Sequence, residues 1–116
     1  MMEPIEELCR QVETLGREHR AAPFPRKIYE NERVNGTSLV MLDANIAGCI
    51  STFLACGNTL DLRRTAVLGA SYRAVALVLV SPDLTEEARP YYARLETLAG
   101  LVLAIVGCKP KKADDN

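Results

Sequence analysis

The sequence predicts an all-α fold: an antiparallel up-and-down four-helix bundle, with helix one joined by a long proline-containing connection. Three segments carry almost no charge: residues 39–56 contain only Asp43, residues 66–80 only Arg73, and residues 97–108 no acid or base. Helices that are apolar on all sides must be enclosed by other structure. Hydrophobic residues form 48% of the chain and aromatic residues only 5%, which favours helices packed through small side chains.

The first predicted helix covers residues 4–20 and is amphipathic. Apolar residues recur at helical spacing on one face, and charged residues occupy the opposite face. Pro4 suits a first turn, where the nearby glutamates favour the positive end of the helix dipole. The single histidine, His19, lies at the end of the apolar face, and no sequence neighbour suggests a catalytic triad.

The connection to the second helix, residues 21–37, breaks the helical pattern. It contains two prolines, and each disfavours helix in the residue before it. Residues 26–34 are expected to form a short helix or an extended arm, and Asn35-Gly36 is a turn signal. Helix two is then predicted from about Ser38 to Cys56, with glycine and asparagine directly after it.

Two further helices follow after short connections. Helix three is predicted to have Thr59 or Asp61 as its N-cap and to end at Ser81-Pro82. Helix four is predicted to begin near Arg89, because a proline in the next position is tolerated only in a first turn. The predicted domain is a single helical bundle over residues 1–108, and the polar tail, residues 109–116, is expected to be disordered.

Composition argues against several classes of function. The chain contains no CxxC pair, so we expect no zinc site and instead expect free thiols in a reducing cytoplasm. Packing is expected to shield Cys49, Cys56 and Cys108, and Cys9 is expected to react faster. A net charge of −1 provides no field that attracts nucleic acid. The uncharged segments are too short for a membrane span. We find no catalytic motif and expect no cofactor and no enzyme activity.

A group of polar residues near one end of the bundle is the candidate site. Asp43 lies within the apolar face of helix two, where an unpaired carboxylate is costly, so it needs a partner or an opening to water. The register estimated for the antiparallel helices places it level with an arginine and two tyrosines. The predicted polar pocket or structural network consists of Asp43, Asn45, Tyr72, Arg73, Tyr91 and Tyr92.

Three hypotheses for function follow from these patterns. Helices two to four are apolar or small on both faces, which predicts a non-enzymatic protein that forms a homodimer or binds a protein partner. The alternative is a bundle that binds a small ligand in a polar pocket near Asp43, Tyr91 and Tyr92. A membrane-associated helical protein is the third.

Overall fold

A computed structural model describes residues 4–25 and 32–108 and contains four helices in the predicted order. Helix α1 is Pro4–Ala21, α2 is Leu39–Ala55, α3 is Leu62–Leu79 and α4 is Arg89–Cys108. The predicted all-α helical bundle is confirmed. The tail that we expect to be disordered, residues 109–116, lies outside the described residues.

Helix α2 begins and ends where its local sequence predicts. The Ser38 hydroxyl accepts a hydrogen bond of 3.2 Å from the Met41 backbone N–H, which makes Ser38 the N-cap. Gly57 and Asn58 follow the helix with φ angles of 70° and 64°. The Asn58 N–H bonds the Phe53 carbonyl over 2.9 Å, so a left-handed C-terminal motif satisfies a carbonyl of the last turn.

Capping also sets both ends of α3 and the start of α4. The Asp61 carboxylate accepts a hydrogen bond of 2.8 Å from the Arg64 backbone N–H, which selects Asp61 as the N-cap. At the other end the Arg89 guanidinium donates to the Leu79 carbonyl, so the first residue of α4 satisfies the last turn of α3. Pro90 is the second residue of α4, where its missing N–H has no helical partner to lose.

The connection between α1 and α2 contains a small β-hairpin that the sequence analysis did not predict. Strand β1, Arg33–Val34, pairs antiparallel with strand β2, Thr37–Ser38. Asn35 and Gly36 form the two-residue turn with φ angles of 53° and 76°, as an Asn-Gly hairpin turn requires. Val34 is buried, and the Asn35 side chain donates to the Leu77 carbonyl over 3.1 Å, so the hairpin is anchored on α3.

Helix α4 is central to the packing. It contacts the other three helices, and α2 and α3 also pack against each other. All four helices contribute side chains to the fully buried core, which includes Val12, Leu39, Ile46, Phe53, Leu68, Val75, Val78, Leu95 and Ile105. None of the described helices combines the length and the apolar character that crossing a membrane requires.

Candidate functional site

Asp43, in the second turn of α2, is held by a residue at the start of α4. The Tyr91 hydroxyl donates a hydrogen bond of 2.9 Å to Asp43 Oδ1, and both side chains are half-buried. This contact forms because α2 and α4 begin at the same end of the bundle. A carboxylate on this apolar face needs a partner, and the Tyr91 hydroxyl supplies it.

His19, near the end of α1, joins the same group, and the sequence analysis did not include it. Its side chain is only 7% exposed, and Nδ1 accepts a hydrogen bond of 2.8 Å from Arg94 Nε. A neutral imidazole that accepts at Nδ1 carries its proton on Nε2. That Nε2 lies 3.8 Å from Asp43 Oδ1 and has no hydrogen-bond partner among the described residues. We call His19, Asp43, Tyr91 and Arg94 the Asp43 cluster.

Aromatic rings pack around the cluster. The Tyr91 ring centroid lies 4.4 Å from that of His19 and 5.4 Å from that of Phe24, and the Arg94 guanidinium lies 5.9 Å from the Tyr91 ring. Phe24 follows α1, so these contacts join that segment to α4. Burial, and then the negative charge of Asp43, raise the pKa of the Tyr91 hydroxyl, which therefore remains a protonated donor.

Tyr92 lies beside this cluster but is fully buried. Its hydroxyl donates a hydrogen bond of 2.7 Å to the Leu39 carbonyl at the start of α2. Burial is the main cause that raises the pKa of Tyr92, and the charge of Asp43 acts in the same direction. The hydroxyl is thus a structural link between α4 and α2.

The other three residues of the predicted pocket lie elsewhere. Asn45 is exposed on the side of α2 that faces α3. Tyr72 packs its ring over Gly100 of α4. Arg73 lies on the exposed outer side of α3, and the ion pairs among the described residues do not join it to Asp43. The estimated register predicts only the height of each residue along the bundle. These residues lie apart because their side chains leave the helices in different directions.

The Asp43 cluster leaves little room for a ligand on the side of His19. The adjoining cavity, lined by His19 and Leu95 among others, has a volume of about 30 Å³, which is enough for about one water molecule. Both nitrogens of His19 face protein groups, because Nδ1 binds Arg94 and Nε2 is buried beside Asp43. This histidine is therefore poorly placed to act as a general base on a substrate.

A groove between α2 and α3 is the second region of interest. Two adjoining cavities of about 500 and 370 Å³ follow these helices and share Asn45 in their walls, so we treat them as one surface, the α2–α3 groove. Among the residues that the structure describes, the charged side chains lining it are all arginines, and no carboxylate lines either cavity. Small residues of both helices line it: Ala44, Gly48, Ala70 and Ala74.

The cysteines differ in exposure. Cys49 is buried and donates to the Arg64 carbonyl over 3.6 Å, and its burial raises the pKa of the thiol. Cys9 is half-buried. The prediction that Cys56 is shielded is wrong, because this residue is the exposed C-cap of α2. Within the part of the chain that the structure describes, no three His, Cys, Asp or Glu side chains converge in a group that could hold a metal ion.

Because comparisons with known proteins identify no relative, the physical features of the chain are the basis for inferring its function. The candidate regions are the Asp43 cluster, whose polar groups bond mainly to one another, and the α2–α3 groove, which is open. Scans of protein-family models, curated proteins and solved structures each found no match to this chain.

Proposed function

We propose that the protein is a non-enzymatic interaction protein whose binding surface is the exposed outer side of α2 and α3. The proposal rests on the location of the large exposed hydrophobic side chains. Among the described residues, six of seven lie on α2, on α3 or at the C-cap of α3: Met41, Leu62, Val67, Tyr72, Leu77 and Val80. Concentrated exposed apolar surface of this kind marks sites of interaction.

The outer side of α3 supports the proposal in detail. Its exposed residues follow one another at intervals of three or four, from the first turn to the C-cap: Leu62, Ala66, Ala70, Arg73, Leu77 and Val80. Leu62 is 90% exposed, Val80 79% and Leu77 60%. A surface helix ordinarily carries polar and charged residues on that side. The stripe therefore suits contact with another protein better than contact with water.

A homodimer is the form of association that the sequence predicts, and it stays a prediction. Sedimentation velocity at micromolar concentration is expected to show twice the chain mass of 12.7 kDa. Leu77→Glu should return the protein to a monomer, because it places a carboxylate inside the contact. Thr14→Glu, at an exposed position of α1, is the matched control and should leave the dimer intact. A dimer that resists Leu77→Glu would contradict this choice of surface.

The small-ligand alternative is supported by one feature. A cavity of about 380 Å³ lies beside the Tyr91 ring and is lined by Phe24, Glu87 and two prolines. Its volume suits a small molecule. The polar atoms predicted to line a pocket are engaged elsewhere, since Tyr91 donates to Asp43 and Tyr92 donates to the Leu39 carbonyl. A compound that raises Tm in the parent protein and not in Phe24→Ala would favour this alternative.

The proposal includes a reducing compartment such as the cytoplasm. Cys9, Cys49 and Cys56 are free thiols, a state that is typical of proteins in reducing compartments. The absence of a solvent-facing histidine nitrogen in the Asp43 cluster supports a function without catalysis.

A further inference from the structure

We propose that the α2–α3 groove binds an acidic amphipathic helix of another protein. This inference rests on the proposed function, because the groove adjoins the exposed stripe of α3 and the inference names the chemistry of a partner. It follows from the shape of the groove, from its charge and from the poor fit of a second copy.

The shape of the groove fits a helix. Small residues line it from both sides, and a Cβ added to Gly48 would meet no neighbouring side chain within 4 Å. Along α3 the lining extends from Arg63 to Ala74, eleven residues further on. At the helical rise this is about 16 Å, or about three turns of a guest helix. A groove lined by small residues lets the backbone of a partner helix approach closely, as in helix-in-groove recognition.

The charge of the groove selects an acidic guest. Between Asp61 and Asp83 the chain contains three arginines and no acid. Arg63 is exposed and forms no ion pair with the described residues, whereas Arg64 already pairs with Asp61. Arg33 lines the opposite end of the groove. The two ends of the groove thus carry arginines that lack carboxylate partners in the groove itself.

A second copy and a lipid surface fit less well. A symmetric pair formed through the groove would bring the Arg33, Arg63 and Arg64 side chains of both copies together, and like charges oppose association. The homodimer predicted above therefore uses the outer stripe of α3 and not the groove. An anionic bilayer would satisfy the arginines, but its surface cannot enter a concave groove as a helix does. An acidic helix satisfies the arginines and also fills the groove.

The inference predicts the pattern of the partner sequence. The guest helix should carry two carboxylates about eleven residues apart, one for Arg63 and one for Arg33, because that separation matches about three turns. Small or apolar residues should recur between them at intervals of three and four, on the same face.

Selection from a yeast-displayed library of helical peptides, each about 18 residues long so that the isolated helices are stable, tests this pattern. We expect enrichment of Asp or Glu at two positions about eleven residues apart. Binding of an enriched peptide should weaken about tenfold in Arg63→Glu, and it should also weaken when salt rises from about 50 to about 500 mM. Arg17→Glu, at an exposed position of α1, is the matched control and should change binding less than about twofold. Circular dichroism confirms that each variant is folded.

Three outcomes would overturn the inference. Enriched peptides without an excess of acids, or peptides that bind Arg63→Glu and the parent equally, would exclude the acidic helix, but the proposed function would stand if Leu77→Glu still abolishes the dimer. Association with phosphatidylserine vesicles that is lost in Arg63→Glu, without any enriched peptide, would assign the arginines to a membrane instead. If Leu77→Glu leaves sedimentation unchanged and no peptide is enriched, the proposed function itself fails.

Discussion

The two sides of α2 differ in whether their polar side chains are bonded within the chain or lie open to solvent. On the side toward α1 and α4, Asp43 is enclosed with a tyrosine, a histidine and an arginine that bond mainly to one another. On the side toward α3, only two residues further along, Asn45 lies in an open groove whose charged residues are all positive. The first side buries its polar groups against one another within one chain. The second exposes small and apolar residues beside arginines, so α2 contributes both to the core and to an open surface.

The largest expected difference is between two leucines of α3. Leu68 is fully buried, whereas Leu77 is 60% exposed. Leu68→Ala should lower the free energy of unfolding by about 2–5 kcal/mol, through lost burial and a cavity. Leu77→Ala should change it by less than about 0.5 kcal/mol in the monomer. Urea unfolding, at a concentration where sedimentation shows monomer, measures both. Equal losses would mean that the outer side of α3 is covered within the chain.

Asp43 and Asn45 give the next comparison. Asp43→Ala leaves the Tyr91 hydroxyl without its acceptor and removes the carboxylate 3.8 Å from His19 Nε2, and it should lower the free energy of unfolding by about 1–3 kcal/mol. Asp43→Asn should cost only about 1 kcal/mol, because the amide oxygen still accepts from Tyr91. Asn45→Ala, on the open side of the same helix, is the control and should stay within about 0.5 kcal/mol. A loss near zero in Asp43→Ala would show that the cluster does not hold the helices together.

The sequence predicts the helices well because their boundaries depend on local chemistry. Ser38 and Asp61 accept N-cap hydrogen bonds, and Gly57 supplies the left-handed conformation after α2. Arg89 begins α4 as expected because the proline after it fits a first turn. Each of these signals acts within a few residues, so it does not depend on how the helices pack.

The candidate site is harder to predict, because it depends on the direction in which each side chain leaves its helix as well as on the height of the residue along the bundle. Register alone places Arg73 level with Asp43, yet Arg73 leaves α3 on the outer side while Asp43 leaves α2 toward α1 and α4. His19 could have been included from one further step: in an up-and-down bundle the end of α1 meets the start of α2. A histidine at the end of the apolar face of α1 is then a neighbour of an acid early in α2.

Alkaline pH should lower the stability of the protein through Tyr91 and Tyr92, on the side of α2 that faces α1 and α4. Burial raises the pKa of Tyr91 and Tyr92 above the ordinary value of about 10, so the unfolded chain loses these protons before the folded protein does. Stability is therefore complete below about pH 10 and falls as pH rises further, by at most about 1.4 kcal/mol per pH unit for each of the two tyrosines. Tyrosinate absorbance of these residues should rise together with the loss of helical circular dichroism, and Tyr92→Phe should reduce that coupled rise. Absorbance from both residues that appears while the helices remain intact would contradict their burial.

The smallest expected effect compares Gly48, in the open groove, with Gly100, which lies under the Tyr72 ring. Gly48→Ala should raise stability by about 0.5–1 kcal/mol, because alanine favours the helix and its Cβ meets no neighbouring side chain within 4 Å. Gly100→Ala gains the same helix propensity, but its Cβ would lie 3.2 Å from the Tyr72 ring, which must then move. Its net effect should be zero or a loss. Thermal unfolding of both variants beside the parent measures the difference, and a loss of stability in Gly48→Ala would show that the groove is closed.

If the groove is open and binds a guest helix, the same methyl group that stabilises the monomer should weaken that binding, because it makes the groove shallower where the guest backbone approaches.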